Sequence, residues 1–439
     1  MNTNEVNKAD ELARRQFMIN AARSYLGVSV VPMLGASVAS TSWAATGKAR
    51  GDKAAEHVIF LNMAGGMSHL DTFDLKPGKE EQGPVEAVDT GHDFQVSQYL
   101  PDTAEVAGEM CVINSMTSQQ GAHEQGQYIL HRNYPMRGTI THPAIGAWVV
   151  RLKGRQNKTL PGFVSVNGSP RNASSGFMGA EFAGVPLGRP DEGLKNSARA
   201  HSVSEEDFTA RLAIADKLNA KFHEKFKVPQ VKAYESLYEE AVKLMKSEDL
   251  KAFDINQESG ATKEKYGTNS FGQGCLLARR LVEAGVRYIE VTLGGWDTHY
   301  DNFTAVEARA AVLDKAYAAL IKELKSKGML DKTLVVIGTE FGRTPGIVTE
   351  HNNGRDHHPA CFTCVLAGGG VKGGTVYGQS DKGGYRPKED PVTIQDFNAT
   401  IGYALGLDHN KVIHSPSGRP FSLGGAEAER GSPLKSIFV

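Results

Sequence analysis

The chain has 439 residues, 40% of them apolar, with 49 basic residues against 50 acidic ones and a formal charge of −1. This apolar content allows a sizeable core, and a near-neutral balance without a basic block argues against a nucleic-acid partner. Four cysteines in a chain of this size do not make a disulfide framework.

The chain opens with a polar stretch, then Arg14-Arg15-Gln16-Phe17, a mildly apolar run from Tyr25 to Ala39 interrupted by Pro32, and Ser42-Trp43-Ala44. Paired arginines, a weak apolar run and a small-x-small cleavage site read as a twin-arginine export signal over residues 1–44. An amphipathic first helix fits less well, because the run is too broken to show a helical stripe. Export by this route places the protein in the periplasm or at the cell surface. No later stretch is long and apolar enough to cross a bilayer.

From there, six nearly continuous apolar runs predict strands buried on both faces: His57–Met63, Met110–Met116, Gly162–Val166, Val286–Leu293, Thr333–Gly338 and Cys361–Ala367. Residues 202–265 are charged and Glu/Lys-rich, opening on Ser204-Glu205-Glu206-Asp207. They read as a helical insertion or cap, with Pro229 separating two helices. Helices are predicted over Gly274–Ala284, Phe303–Lys327 and Thr393–Leu405. In the second, Val306, Leu313, Tyr317, Leu320 and Leu324 share one stripe, and Gly328 stands just past the end. Strand, helix and strand in this order make a βαβ unit, so the fold class is α/β: a doubly wound, mostly parallel sheet flanked by helices. Residues 50–439 form one such domain, with the insertion inside it. Cys361 and Cys364 have redox spacing but lie in a strand run, which favours two core thiols over a disulfide.

The chemistry-bearing residues cluster just past these strands, where open α/β sheets bind ligands. After the first strand stands Gly65-Gly66-Met67-Ser68-His69-Leu70-Asp71, in which His69 and Asp71 are candidate metal ligands. After the fourth comes Gly294-Gly295-Trp296-Asp297-Thr298-His299, where Asp297 and His299 share a face if extended and Trp296 could screen solvent. After the fifth, Glu340 is a candidate ligand or general base, and Arg343 a candidate clamp for an anionic group. A buried Glu340–Arg343 ion pair is the plainer alternative. Gly354-Arg355-Asp356-His357-His358 leads into the sixth strand; neighbouring histidines diverge, so one of His357 and His358 faces the site, with Asp356 a ligand or a supporting partner. His123, after the second strand, is a candidate catalytic group at a helix start. Gly368–Gly370 and Gly373-Gly374 could present backbone amides to an anion. Imidazoles with carboxylates suit a divalent ion: zinc, manganese, magnesium or calcium.

The order Gly-Gly-Met-Ser-His-Leu-Asp-Thr-Phe-Asp from Gly65, Leu277–Val286, Gly-Gly-Trp-Asp-Thr-His from Gly294, Thr-Glu-Phe-Gly-Arg-Thr from Thr339 and Gly-Arg-Asp-His-His-Pro from Gly354 resembles a bacterial family of sulfatase-like proteins of unknown function. Members commonly carry twin-arginine signals, and the likeness runs from about Val58 to Phe421. The resemblance implies an alkaline phosphatase-like fold and a metal site for hydrolysing phosphate or sulfate esters of an anionic small molecule or surface polymer. The chain departs from that superfamily in three places. Asn62 stands where the first strand usually ends in a metal-binding Asp, and Glu340-Phe341 replaces an Asp-His pair. His123 lies near the position of the formylglycine Cys/Ser, whose Cys/Ser-x-Pro-x-Arg motif is missing. The nucleophile is then Ser68, Ser115, Thr117, Ser118 or a metal-bound water, or there is none. A non-catalytic binding or assembly protein on the same fold is the competing expectation.

Overall fold

The computed structural model of the protein describes residues 50–195, 197, 202–225 and 239–439. The expected export signal and Pro229 lie outside these residues. A nine-stranded sheet organises the rest. Its strands are β1 (His57–Ala64), β2 (Met110–Thr117), β3 (Phe163–Val166), β4 (Val185–Leu187), β5 (Tyr288–Gly294), β6 (Thr333–Gly338), β7 (Phe362–Gly368), β8 (Thr375–Tyr377) and β9 (Val392–Thr393). The spatial order is β8-β2-β7-β6-β1-β5-β3-β4, with β9 also pairing to β2. Only β7 runs antiparallel to its neighbours β2 and β6; the other pairings of the sheet are parallel. All six strands expected from the apolar runs are in this sheet, with ends moved by one or two residues.

The strands read as nearly continuous apolar runs because both faces are covered. From β1, Ile59, Leu61 and Met63 enter one core with Leu276, Leu313 and Leu320, while Val58 and Phe60 enter the other with Ile129, Trp148 and Ile401. Helices α1 (His123–Arg132), α2 (Ile145–Lys153) and α7 (Ile394–Ala404) contribute to the second layer. Helices α5 (Ser270–Glu283) and α6 (Asn302–Ser326) form the first. In the chain between β4 and β5, the described residues include α3 (Glu205–Lys225), α4 (Gly260–Tyr266) and short 3-10 turns.

Helix α5 begins four residues before the expected Gly274, because Asn269 caps it by accepting from Gly272 N at 2.9 Å. Gly274 is then interior, where a Cβ would stand 2.7 Å from Val291 Cγ1, so glycine lets the helix lie close on β5. Helix α6 ends at Ser326, one residue before the expected Lys327, and Gly328 just past it, with φ +67°, permits the bond from Met329 N to Leu324 O. Cys361 and Cys364 are both buried and unbridged, and burial pushes each thiol up to about 12. Thiolate chemistry has no support there.

The apolar stripe of α6 holds that layer to the sheet. Leu320→Ala is expected to lower unfolding stability by about 2–5 kcal/mol in urea titrations, through lost burial and a residual cavity.

Candidate metal centre

The carboxyl ends of β1, β5 and β6 meet at one edge of the sheet, and the amino end of β7 reaches the same edge because that strand is reversed. Four short segments emerge there: Gly65-Gly66 after β1, Gly295-Trp296-Asp297 after β5, Thr339-Glu340-Phe341 after β6, and His357–His358 before β7. The last pairs antiparallel with Gly342–Arg343 as a small hairpin. The fifth contribution is His123, the first residue of α1. The glycines are required by proximity. A Cβ on Gly65, with φ +121°, would stand 2.5 Å from Asp297 N, and one on Gly66 would stand 2.7 Å from the Phe341 ring.

These segments gather three imidazoles around one carboxylate. His123 Nε2 lies 3.3 Å from Asp297 Oδ2; His299 Nε2 and His357 Nε2 lie 3.1 and 3.4 Å from Oδ1. The last two nitrogens are 2.9 Å from each other. The other nitrogen of each ring faces an oxygen that only accepts: His123 Nδ1 donates to Glu340 Oε1 at 2.9 Å, His299 Nδ1 to Asp356 Oδ1 at 2.7 Å, and His357 Nδ1 to Gly121 O at 2.7 Å. In the neutral rings, therefore, all three Nε2 atoms turn their lone pairs toward the Asp297 carboxylate, His123 at Oδ2 and the other two at Oδ1. Two donors on one tetrahedral ion at about 2.0–2.1 Å stand about 3.3 Å apart, so these separations fit a shared ion. Among the described residues, His123, Asp297 and His357 bring ligand atoms within 4.8 Å of one another. His299 joins them through His357 and Asp297. The cluster is open on one side: Asp297 is 47% exposed and His123 35%.

The surroundings tune these groups. The hydrogen bond to Glu340 raises His123 above its ordinary value against the effect of burial, helped by the charges of Glu340 and Asp297. Burial pushes Asp297 up, but the Arg343 hydrogen bond and charge, with His123 and His299, hold it below the usual carboxylate range. Burial holds His357 below its ordinary value despite the bond to Gly121 O. Phe341 packs its ring 5.0 Å from His123 and 4.6 Å from His357, fixing both from beneath.

Several sequence candidates stand elsewhere. Asp71 is fully buried, and Arg355 binds it through Nε at 3.0 Å and Nη2 at 3.1 Å, with Ser68 Oγ and Asn302 Nδ2 also donating. Its oxygens are engaged, so it is placed outside the cluster. His69 donates from Nε2 to Gly384 O and lies beside His358, whose Nε2 donates to Tyr385 O. Neither ring reaches the cluster; strand alternation turns His357 inward and His358 away. Glu340 sits behind His123, accepting also from Gly65 N and Gln127 Nε2. No Glu340–Arg343 ion pair forms. Arg343 is buried and engaged with the carbonyls of Gly65, Gly66 and Arg355 and with Asp297, rather than open to an outside anion. Asp356 is the partner of His299. Trp296 lies in the core with α6 and does not screen the cluster. Gly368–Gly370 lie at the opposite edge, where Arg50 donates to Gly369 O. Ser68 and Ser115 are buried and bonded to Asp71 and to Asp390 O.

Sequence reasoning missed Gln127 and the Gly121 carbonyl. Gln127 is four residues after His123 on α1, a spacing that places both on one face; a backbone carbonyl carries no side-chain signal.

The family model described as "Protein of unknown function (DUF1501)" matches residues 55–437. The chain belongs to that family. No curated protein matches it. Among solved structures, the lipoteichoic acid synthase LtaP from Listeria monocytogenes aligns with a TM-score of 0.35 and 10% identity, covering 88% of this chain and 80% of that one. The phosphonate monoester hydrolase SpPMH from Silicibacter pomeroyi gives 0.38 and 12%, covering 87% and 76%. The C-terminal periplasmic domain of EcEptC from Escherichia coli, in complex with Zn, gives 0.38 and 9%, covering 88% and 97%. Likeness this distant assigns no residue and no reaction to the DUF1501 chain.

Two stability effects follow from the residues outside the cluster. Asp71→Ala leaves Arg355 buried without its counter-charge and is expected to cost about 3–5 kcal/mol in urea unfolding. Burial holds His69 down at about 3, from an ordinary 6.5. As pH falls, the unfolded chain takes up that proton first, so stability is whole above about pH 6.5 and declines toward pH 3, by up to about 4–5 kcal/mol. Unfolding curves between pH 7 and pH 4 should show this decline, and His69→Gln should flatten it; an equal slope in the variant would refute the assignment.

Proposed function

We propose that the protein is an exported, metal-dependent hydrolase of phosphate or sulfate esters. One observation carries the reading: three imidazole Nε2 atoms, each with Nδ1 donating elsewhere, lie within 3.4 Å of the oxygens of one half-exposed carboxylate. With Nδ1 donating to Glu340, His123 Nε2 is a buried atom that faces Asp297 Oδ2 at 3.3 Å, one acceptor against another. Such an electron-rich cluster fits a cation. His123, Asp297, His299 and His357 would hold it, and three imidazoles with one carboxylate suit zinc best. A divalent ion there supplies Lewis acidity, drawing charge from ester oxygens and acidifying water.

The chain's own residues supply position and charge. Glu340 and Asp356 orient His123 and His299, the role of carboxylates behind metal-binding histidines. Arg343 holds Asp297 ionised and in place. The opening on the exposed side of Asp297 admits the ester, an anionic small molecule or a surface polymer. Among the described residues, no helix is long and apolar enough to cross a membrane. Arg14-Arg15 and the run that follows support export by the twin-arginine route.

A second reading, a metal-binding protein without turnover, is favoured by the hydroxyls of Ser68 and Ser115, which are bonded away from the cluster. Elemental analysis and assays with aryl phosphate, phosphodiester and aryl sulfate separate the two. One ion per cluster is expected, lost in His357→Ala and Asp297→Ala and kept in His358→Ala. Asp356→Asn should weaken metal affinity about 10–100-fold. Ester turnover should follow metal content. Folded protein that takes up no ion at His357 would refute the proposal; bound ion without turnover on any of the three esters would establish the second reading.

A further inference from the structure

A separate group of polar side chains lies deeper, on the face of the sheet covered by α1. The strand register puts Asn62 beside Thr292 and Ser165 beside Glu290, and Glu290 and Thr292 are two apart on β5, so all four share one face. They continue the apolar rows of Phe60, Tyr288 and Phe163 toward the carboxyl edge. His131, from α1, comes down on them with Nε2 3.2 Å from Glu290 Oε2. Ser165 Oγ, Thr292 Oγ1 and Glu290 Oε1 lie 2.7, 3.1 and 3.2 Å from the point a Cβ on Gly168 would occupy, which places the three oxygens around one small volume.

The hydrogen bonding of this group is incomplete. Asn62 Oδ1, Ser165 Oγ, Glu290 Oε1 and Thr292 Oγ1 are buried without a hydrogen-bond partner, and His131 Nε2 is buried against Glu290 Oε2. Buried polar groups are nearly always paired, and a buried carboxylate left unpaired is strongly disfavoured. His131 Nδ1 donates to Gln127 O at 2.7 Å, so in the neutral ring its Nε2 lone pair faces a carboxylate oxygen. A proton on Nε2 would pair one Glu290 oxygen but leave the other, both hydroxyls and Asn62 Oδ1 as they are. A cation beside Glu290 would give the carboxylate oxygen and the two hydroxyls around that small volume a common partner, with His131 and Asn62 at its margin.

We propose that Glu290, His131, Ser165 and Thr292, with Asn62 beside them, form a second and more deeply buried site for a divalent cation of the manganese or magnesium class. The donor set decides the class: one carboxylate and neutral oxygens with a single imidazole favour a harder ion than three imidazoles do. The site is independent of the function proposed above. The two centres are joined by side chains, since Asn62 Nδ2 donates to Gln127 Oε1 and Gln127 Nε2 donates to Glu340, which holds His123.

The test is a manganese titration of the full chain, stripped of metal and then given one equivalent of zinc, with free manganese counted by electron paramagnetic resonance. One manganese per chain is expected in the parent protein and in His357→Ala. At least a tenfold loss of affinity is expected in Glu290→Gln and in Ser165→Ala/Thr292→Ala, the double variant serving if Glu290→Gln does not fold. No manganese uptake by the parent protein, or uptake unchanged in the folded variants, overturns the site and leaves His131 in direct contact with Glu290. Loss of manganese in His357→Ala with retention in Glu290→Gln also overturns it, assigning that ion to the histidine-rich centre.

Discussion

The fully buried guanidinium of Arg343 ties together the turns from which the histidine-rich centre is built. It donates to the carbonyls of Gly65 and Gly66 after β1, to the carbonyl of Arg355 before β7, and to the carboxylate of Asp297 after β5. A buried charge without a partner is strongly disfavoured, so the position of Asp297 and the path of the Gly-Gly turn are bound to one another. The two glycines are the steric side of the same constraint, because no side chain fits between the turns. Everything that points at the ion candidate is positioned from that junction.

A second buried guanidinium, Arg355, does for the outer turns what Arg343 does for the inner ones. It engages both oxygens of Asp71 and the carbonyls of Glu81, Thr344 and Pro345. Two adjacent arginines thus hold five loop segments in register, which loops at a strand edge would not do alone. The histidines inherit that rigidity through Glu340, Asp356 and the Gly121 carbonyl.

Much of the fold was legible in the sequence because a doubly covered strand has little room for polar residues. His57–Met63 and Thr333–Gly338 are nearly continuous apolar runs for that reason, and α6 shows its stripe because one face packs on the sheet. The start of α5 was not legible: its first turn is set by the Asn269 cap, and its glycines look like helix breakers until β5 is seen beneath them. The candidate site was legible as a set of strand-end motifs, since parallel strands deliver their carboxyl ends to one edge. Residue type alone, however, did not separate Asp71 from Asp297, or His358 from His357. Each pair offers the same atoms, and only the partners on other segments differ.

The amino-acid sequence by itself determined six of the sheet's nine strands, the two-layer burial and the strand-end location of the His, Asp and Glu residues, because these follow from local apolar patterning and chain direction. The tertiary structure decided which lone pairs meet. It engages Asp71 with Arg355, sends His69 and His358 to backbone carbonyls, sets Glu340 behind His123, and turns His123, His299 and His357 onto Asp297. A side chain's role depends on the donor or acceptor facing it across the fold, and those partners come from residues as far apart in the chain as Gly65 and Arg343.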